Sequence, residues 1–208
     1  MTGTRAPAVR RDAVRNYHRI LDAAREVLGE SGADACMEEI AARAGVGVGT
    51  VYRRFASKDA LIDELLQLAL EEIQSSTERA LARADGYGLE ELLRTLGRSF
   101  ADHARYANLL LVRRTDDDAG QRIRAAIDEL TARAIAAGTV NPDVTVGDVM
   151  ALVLAMRGLV QAAGEVAPDA WRRFLDIHLA GMRAAGPVSS APPISSRQLS
   201  KLASRRPS

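Results

Sequence analysis

"AGVGVGTVYRRFASKDAL", residues 44–61, alternates glycine with valine and then changes to threonine, tyrosine and two arginines. A glycine run that leads into a helix suits one of two phosphates, that of a nucleotide or that of a nucleic-acid backbone. A dinucleotide loop needs a buried strand ahead of its glycines. The segment before this run, "EEIAARA", has helical spacing and no β-branched run. A P-loop needs Gly-Lys-Ser/Thr after a strand, and here "GT" comes without the lysine. The other reading is a helix-turn-helix. Gly45 fits a tight turn between two short helices, where a positive φ is often required. Val46 then faces the interior, Gly47 opens the third helix with a bare backbone N–H, and Gly49 lets that helix lie close to a surface. Thr50, Tyr52, Arg53 and Arg54 form the exposed set, the residue types that grip phosphate oxygens and read guanine edges.

Outward from this run the pattern is helical throughout. From Asp12, the residues Val14, Tyr17, Ile20, Leu21, Ala24, Val27 and Leu28 keep one face, and "GESG" ends that helix. The second helix, "MEEIAARAG", has acids in its first turn and Cys36 at its N-cap, where Ser or Thr would cap better. A third helix covers about 48–55, and Ser57 caps a long fourth one running to about Ala84. Leu89, Leu92, Leu93, Leu96, Phe100 and His103 line one side of a fifth. "ANLLLVRR" predicts a sixth helix, "TDDDAG" a polar loop, and "QRIRAAIDELTARAIAAG" a seventh. Residues 145–163 form an eighth, apolar nearly all round and so buried on two sides. A ninth runs from about Pro168 to Ala185, with Trp171, Phe174, Leu175, His178, Leu179 and Met182 at helical spacing. Residues 1–9 and 187–208 read as disordered, the latter rich in Ser and Pro.

Composition supports helices. Aromatics make up 4% of the 208 residues, and strand signals are nearly absent. Lys and Arg total 28 against 27 Asp and Glu, so any basic surface is local. The single cysteine allows no intrachain disulfide and fits a reducing cytoplasm. The N-terminus has no apolar core of signal-peptide length, and "VMALVLAM" falls short of the roughly 20 residues that span a bilayer. A soluble intracellular protein is the expectation. His18, His103 and His178 show no metal-ligand spacing, no catalytic arrangement emerges, and neither a cofactor nor a metal is expected.

The segment "ILDAAREVLGESGADACMEEIAARAGVGVGTVYRRFASKDALIDEL" resembles the DNA-binding domain of the TetR family of bacterial transcriptional regulators. "EEIAARAGV", "GTVYRRF" and "SKDAL" carry the match, in order and spacing, over about residues 12–65. The later "VTVGDVMALVLAMRGLV" and "WRRFLDIHLAGM" are similar to the subgroup with an SbtR-like C-terminal domain. The resemblance implies that Thr50, Tyr52 and Lys58 contact DNA phosphates and that Val48 and Arg53 reach base edges. Tyr52 as a core tyrosine, Lys58 as a surface lysine and Arg53 as a phosphate clamp are the plainer alternatives. Arg54 stands where the family more often has an aromatic; it adds a phosphate contact or pairs with an acid such as Asp59. Cys36 replaces the usual Ser or Thr that caps the second helix and touches phosphate, and a structural role there outweighs oxidation sensing. Arg10, Arg11 and Arg15 approach the backbone or minor groove, or are a solvated run.

These readings combine into an all-α chain of about nine helices: an arm (1–9), a three-helix helix-turn-helix domain (10–57), a helical ligand-binding and dimerisation domain (58–186) and a tail (187–208). Phe100, His103, Met150 and Arg157 are the candidate effector-pocket residues. A buried arginine needs a partner, which for Arg157 is Glu165, Asp169 or an effector. By the resemblance, the eighth and ninth helices pair with their copies in a homodimer, with Val149, Val153, Met156, Val160, Trp171, Phe174, Leu175 and His178 as candidates. The functional expectation is a repressor on a palindromic operator of double-stranded DNA, released by a small molecule. An activator of the same layout, a sequence-blind DNA binder and a nucleotide-binding enzyme are the alternatives.

Overall fold

The computed structural model describes residues 5–103, 118–164, 166–187, 189–195, 197–198 and 201. Among the described residues eight helices form: α1 (Arg5–Ser31), α2 (Met37–Ala44), α3 (Val48–Arg54), α4 (Lys58–Ala82), α5 (Gly88–His103), α6 (Asp118–Ala136), α7 (Val146–Ala163) and α8 (Ala170–Arg183), with a 3-10 turn at Gly32–Asp34. The described residues contain no strand, and the chain is all-α as expected. The helix expected at "ANLLLVRR" lies outside the described residues. So do Glu165 and residues 1–4 of the expected arm.

The first helix starts earlier than its periodicity suggests. Arg5–Pro7–Ala8 is already helical, so residues 5–9 are not the disordered segment expected. Pro7 falls in the first turn, where no backbone N–H is needed for the ladder, and alanine and arginine around it are good helix formers. Val14 nevertheless stays exposed, and the buried stripe begins at Ile20.

Two compact units divide inside α4, after Leu68. In the first unit, Ile20, Leu21, Ala24, Val27 and Leu28 of α1 pack with Ile40 and Ala41 of α2, Val51 of α3, and Leu61, Ile62 and Leu65 of α4. In the second unit, Leu89, Leu92, Leu93 and Leu96 of α5 meet Ile127 and Leu130 of α6, Val149, Leu152, Met156 and Val160 of α7, and Trp171, Leu175 and Leu179 of α8. Gly97 makes room for Trp171, since a Cβ there would lie 2.4 Å from the indole Cε3. The indole N–H is buried without an acceptor among the described residues.

α7 opens with a capping box. The Thr145 hydroxyl oxygen accepts from the Asp148 N–H, and the Asp148 carboxylate accepts from the Thr145 N–H. This helix is long and apolar enough to cross a membrane by length and composition, more so than its central "VMALVLAM" suggests. One of its faces is buried in the core of the second unit.

Chain just ahead of the expected tail (187–208), and Ile194 within it, packs on the second unit. The Asn141 side-chain amide donates to the carbonyls of Ala184 (2.7 Å) and Gly186 (2.8 Å). Further on, the Ile194 carbonyl crosses Gly147 so closely that a Cβ there would lie 2.2 Å from it. Ser195 and Gln198 then cap one another. Ile194 is the apolar residue that gives this Ser- and Pro-rich stretch something to bury, and it is half-covered.

Candidate nucleic-acid interface

The turn after α2 is built by Gly45, at φ 63° and ψ 39°. Its N–H donates to the Ala42 carbonyl (3.1 Å), and the Val46 N–H donates to the Ala41 carbonyl (3.0 Å). This pair of bonds is a Schellman motif, which satisfies the last carbonyls of α2. Val46 follows it half-buried against the first core. Arg19 reaches the same corner, its Nη2 donating to the Gly45 carbonyl at 3.5 Å. Gly47 then serves as N-cap of α3, its carbonyl accepting from the Thr50 N–H at 2.7 Å.

With 3.6 residues per turn, the fully buried Val51 sets the inward side of α3. Gly49 and Arg53 fall opposite, with Val48 and Tyr52 on one flank and Thr50 on the other. Val48 and Tyr52 are exposed at 40% and 47%, which removes the reading of Tyr52 as a core residue. A Cβ on Gly47 or Gly49 would meet nothing within 4 Å. Neither glycine is therefore required by packing within the chain. Gly49 lowers the outer surface of the helix at a stability cost of roughly 0.5–1 kcal/mol relative to alanine.

The basic residues divide between two surroundings. Arg53 is exposed, and its Nη2 donates to the Thr50 hydroxyl at 3.0 Å. Arg54 is also exposed and lies over the Tyr17 ring, 4.7 Å from its centroid. Tyr17 in turn donates its hydroxyl to Glu64 of α4. Burial and then Glu64 hold the Tyr17 hydroxyl above the usual tyrosine range. Lys58, half-buried, donates from Nζ to the Ala35 carbonyl at 2.9 Å, tying the start of α4 to the approach to α2. Ser57 caps α4 by accepting from the Ala60 N–H. Cys36 stands at the N-cap of α2 with an exposed side chain and no side-chain capping bond. Arg11 and Arg15 are exposed, and Arg15 meets Asp12 at 3.5 Å, a surface pair of little worth. The side chain of Arg10 lies outside the described ones.

In the second unit, Phe100, Met150 and Val153 are partly buried against the core, and Arg157 is half-buried. His103 closes α5, with Nδ1 2.6 Å from the Ser99 carbonyl. His178 likewise bonds the Phe174 carbonyl. No group of metal-ligating residues occurs among the described residues.

Of the eight residues expected to face a second copy, Val149, Met156, Val160, Trp171 and Leu175 lie inside the core of their own chain. They pack the subunit and present no face. The outward side of α7 consists instead of Ala151, Leu154, Ala155, Gly158 and Ala162, and that of α8 includes Phe174, Ile177, His178 and Gly181. The helical spacing did not separate this exposed side from the buried one because α7 is apolar nearly all round. The available signal was its smaller residues, since core positions favour bulk.

Fold and surface together define a helix-turn-helix DNA-binding protein with a helical second part. Residues 20–65 match the family model for bacterial regulatory proteins of the tetR family. Residues 89–184 match that for the SbtR-like C-terminal domain of transcriptional regulators. The TetR transcription regulatory protein from Mycobacterium vanbaalenii is 30% identical, over 85% of this chain and 99% of that one, with a TM-score of 0.57. The TetR transcriptional regulator SCO0520 from Streptomyces coelicolor is 29% identical, over 81% and 99% of the two chains, with a TM-score of 0.61. PfmR from Thermus thermophilus, 22% identical over 77% and 94%, shares the fold at a TM-score of 0.57. A comparison with curated proteins finds no match. The chain belongs to the TetR family: it is a DNA-binding regulator of transcription, and the members of that family are regulators rather than enzymes.

Proposed function

We propose that this regulator is a repressor that grips a palindromic operator as a C2 dimer and lets go when a small molecule binds its second unit. The observation that carries the reading is the outer side of α3, where Arg53 stands beside a Gly49 that no internal contact requires. That side suits entry into a major groove, with Arg53 bidentate to a guanine and Val48 beside it. Thr50, Tyr52, Lys58 and the α1 arginines, Arg10, Arg11 and Arg15, supply phosphate contacts. Arg54 and Cys36 lie at the margins of this surface. A regulator of this kind works in the compartment that holds the DNA, the bacterial cytoplasm.

Dimerisation follows from the outward sides of α7 and α8. Ala155, Gly158 and Ala162 leave room for a helix to approach closely, and Ile177 is a large apolar side chain 56% exposed. A palindromic operator asks the two copies of α3 in such a dimer to lie about 34–36 Å apart, one turn of DNA. α4 supplies Leu61 and Leu65 to the first core and Ile73 and Ala80 to the second, so it is the element through which an effector acts on the reader. Ligand and operator then oppose one another with a single reciprocal coupling energy of about 1–3 kcal/mol.

The test is selection of duplexes from a random pool by the purified protein, then footprinting and transcription from a promoter that bears the selected site. A palindrome protected on both half-sites, with less transcript, is the expected result. Affinity that varies with salt but not with sequence would overturn the operator reading, and more transcript would make the protein an activator.

A further inference from the structure

Arg157 lies where an arginine needs a reason. One row along α7 comprises Val146, Met150, Val153 and Arg157, three or four residues apart. The three apolar members are partly buried against the core of the second unit, as are Phe100 of α5 and Ile123 of α6. Arg157 itself is half-buried, and burial alone pushes its pKa below the usual guanidinium value.

Among the described residues, the other half-buried arginines are matched. Arg25 holds the Asp22 carboxylate at 2.8 Å, and Arg94 holds Asp176 and Glu90, each at 2.8 Å. Arg157 has no carboxylate or carbonyl partner among the described residues. Asp169, one of the two acids expected to meet it, is exposed and bonded to Arg172 at 2.7 Å. A guanidinium taken partly out of water with no counter-charge carries a cost that an incoming anion removes. The apolar row below it offers nothing to a small hydrated ion, but it suits a molecule with an apolar body.

We propose that Arg157 is the anion-binding residue of the effector site, and that the effector is an amphipathic carboxylate whose apolar part lies along Met150 and Val153. This rests on the reading of the protein as a ligand-responsive regulator and narrows the ligand to one chemical class. A guanidinium receives a carboxylate through two parallel N–H···O bonds, which a neutral amide of the same length does not reproduce.

The experiment uses the full-length protein and straight-chain monocarboxylates of six to twelve carbons, each paired with the primary amide of equal length. Binding is measured by calorimetry and by thermal shift. At least one carboxylate is expected to bind and to raise the melting temperature, with its amide at least tenfold weaker. Arg157→Gln should lose that preference, and Arg157→Lys should keep part of it; circular dichroism of both variants checks their folding. Equal binding of acid and amide, an unchanged carboxylate affinity in Arg157→Gln, or no binding across the series would overturn the proposal. Operator binding is measured separately without carboxylate, and its failure overturns the regulator reading alone.

Discussion

The guanidinium of Arg54 covers the ring of Tyr17, 4.7 Å from its centroid, while the hydroxyl of that tyrosine donates to Glu64. The end of α3, the middle of α1 and the start of α4 are thereby joined through one aromatic side chain. Arg54 is thus held by a ring, a use that neither alternative drawn from the sequence had included. Such a contact contributes about 0.5–1 kcal/mol at an exposed site.

Tyr17→Phe keeps the ring under Arg54 and removes only the bond to Glu64. Stability should fall by about 1 kcal/mol. The raised pKa of Tyr17 also gives a sign for its pH dependence. The folded state holds the hydroxyl proton more tightly than the unfolded state does, so this contribution is complete below the ordinary tyrosine value of about 10 and fades as pH rises through the folded pKa. Urea titrations in the alkaline range should show a shallower decline in the variant than in the parent.

Arg53→Ala and Lys58→Ala should fail in different ways. The first should relax preference at one base pair of each half-site, a loss of about 1–3 kcal/mol of discrimination. The second should weaken all duplexes alike and reduce the salt slope by about 0.9 for each phosphate no longer neutralised. Lys58 also ties α4 to Ala35, so melting temperatures are taken alongside to separate the two effects. An unaltered base preference in Arg53→Ala removes that residue from readout.

Two glycines four residues apart should respond with opposite signs. Gly45→Ala places a Cβ at φ 63° and should destabilise the first unit by about 1–2 kcal/mol. The accompanying clash with Arg19 is relieved when that flexible side chain moves aside. Gly49→Ala meets no neighbour and should stabilise α3 by roughly 0.5–1 kcal/mol while weakening DNA binding. Thermal melts and fluorescence anisotropy on the same samples read both, and unchanged DNA affinity in Gly49→Ala would mean that α3 does not approach the duplex by this side.

On the second unit, Met156→Ala should cost about 2–5 kcal/mol with the oligomeric state unchanged, since Met156 is a core residue. Ile177→Asp should leave folding intact and shift sedimentation towards monomer. The reverse pattern would return the interface to the residues first expected from spacing.

The helix-turn-helix was legible because its corner depends on local chemistry. A left-handed residue after "EEIAARA" and a valine behind it are enough to specify a Schellman turn, and the structure places both there. The leucines of α5 were legible through their spacing against polar neighbours. α7 was not, because a helix apolar on most sides carries no contrast for periodicity to detect. The position of Arg54 could not be read either, since Tyr17 lies 37 residues earlier and only tertiary folding brings the two together. The start of α1 was less legible: residues 5–11 carry no apolar period, so the helix reads as beginning at Asp12 rather than at Arg5.

The passage of Ile194 across Gly147 has a practical corollary. Where backbone rests on backbone with no side chain between, the segment around Ile194 is anchored. Any enlargement at position 147 would evict the chain lying there.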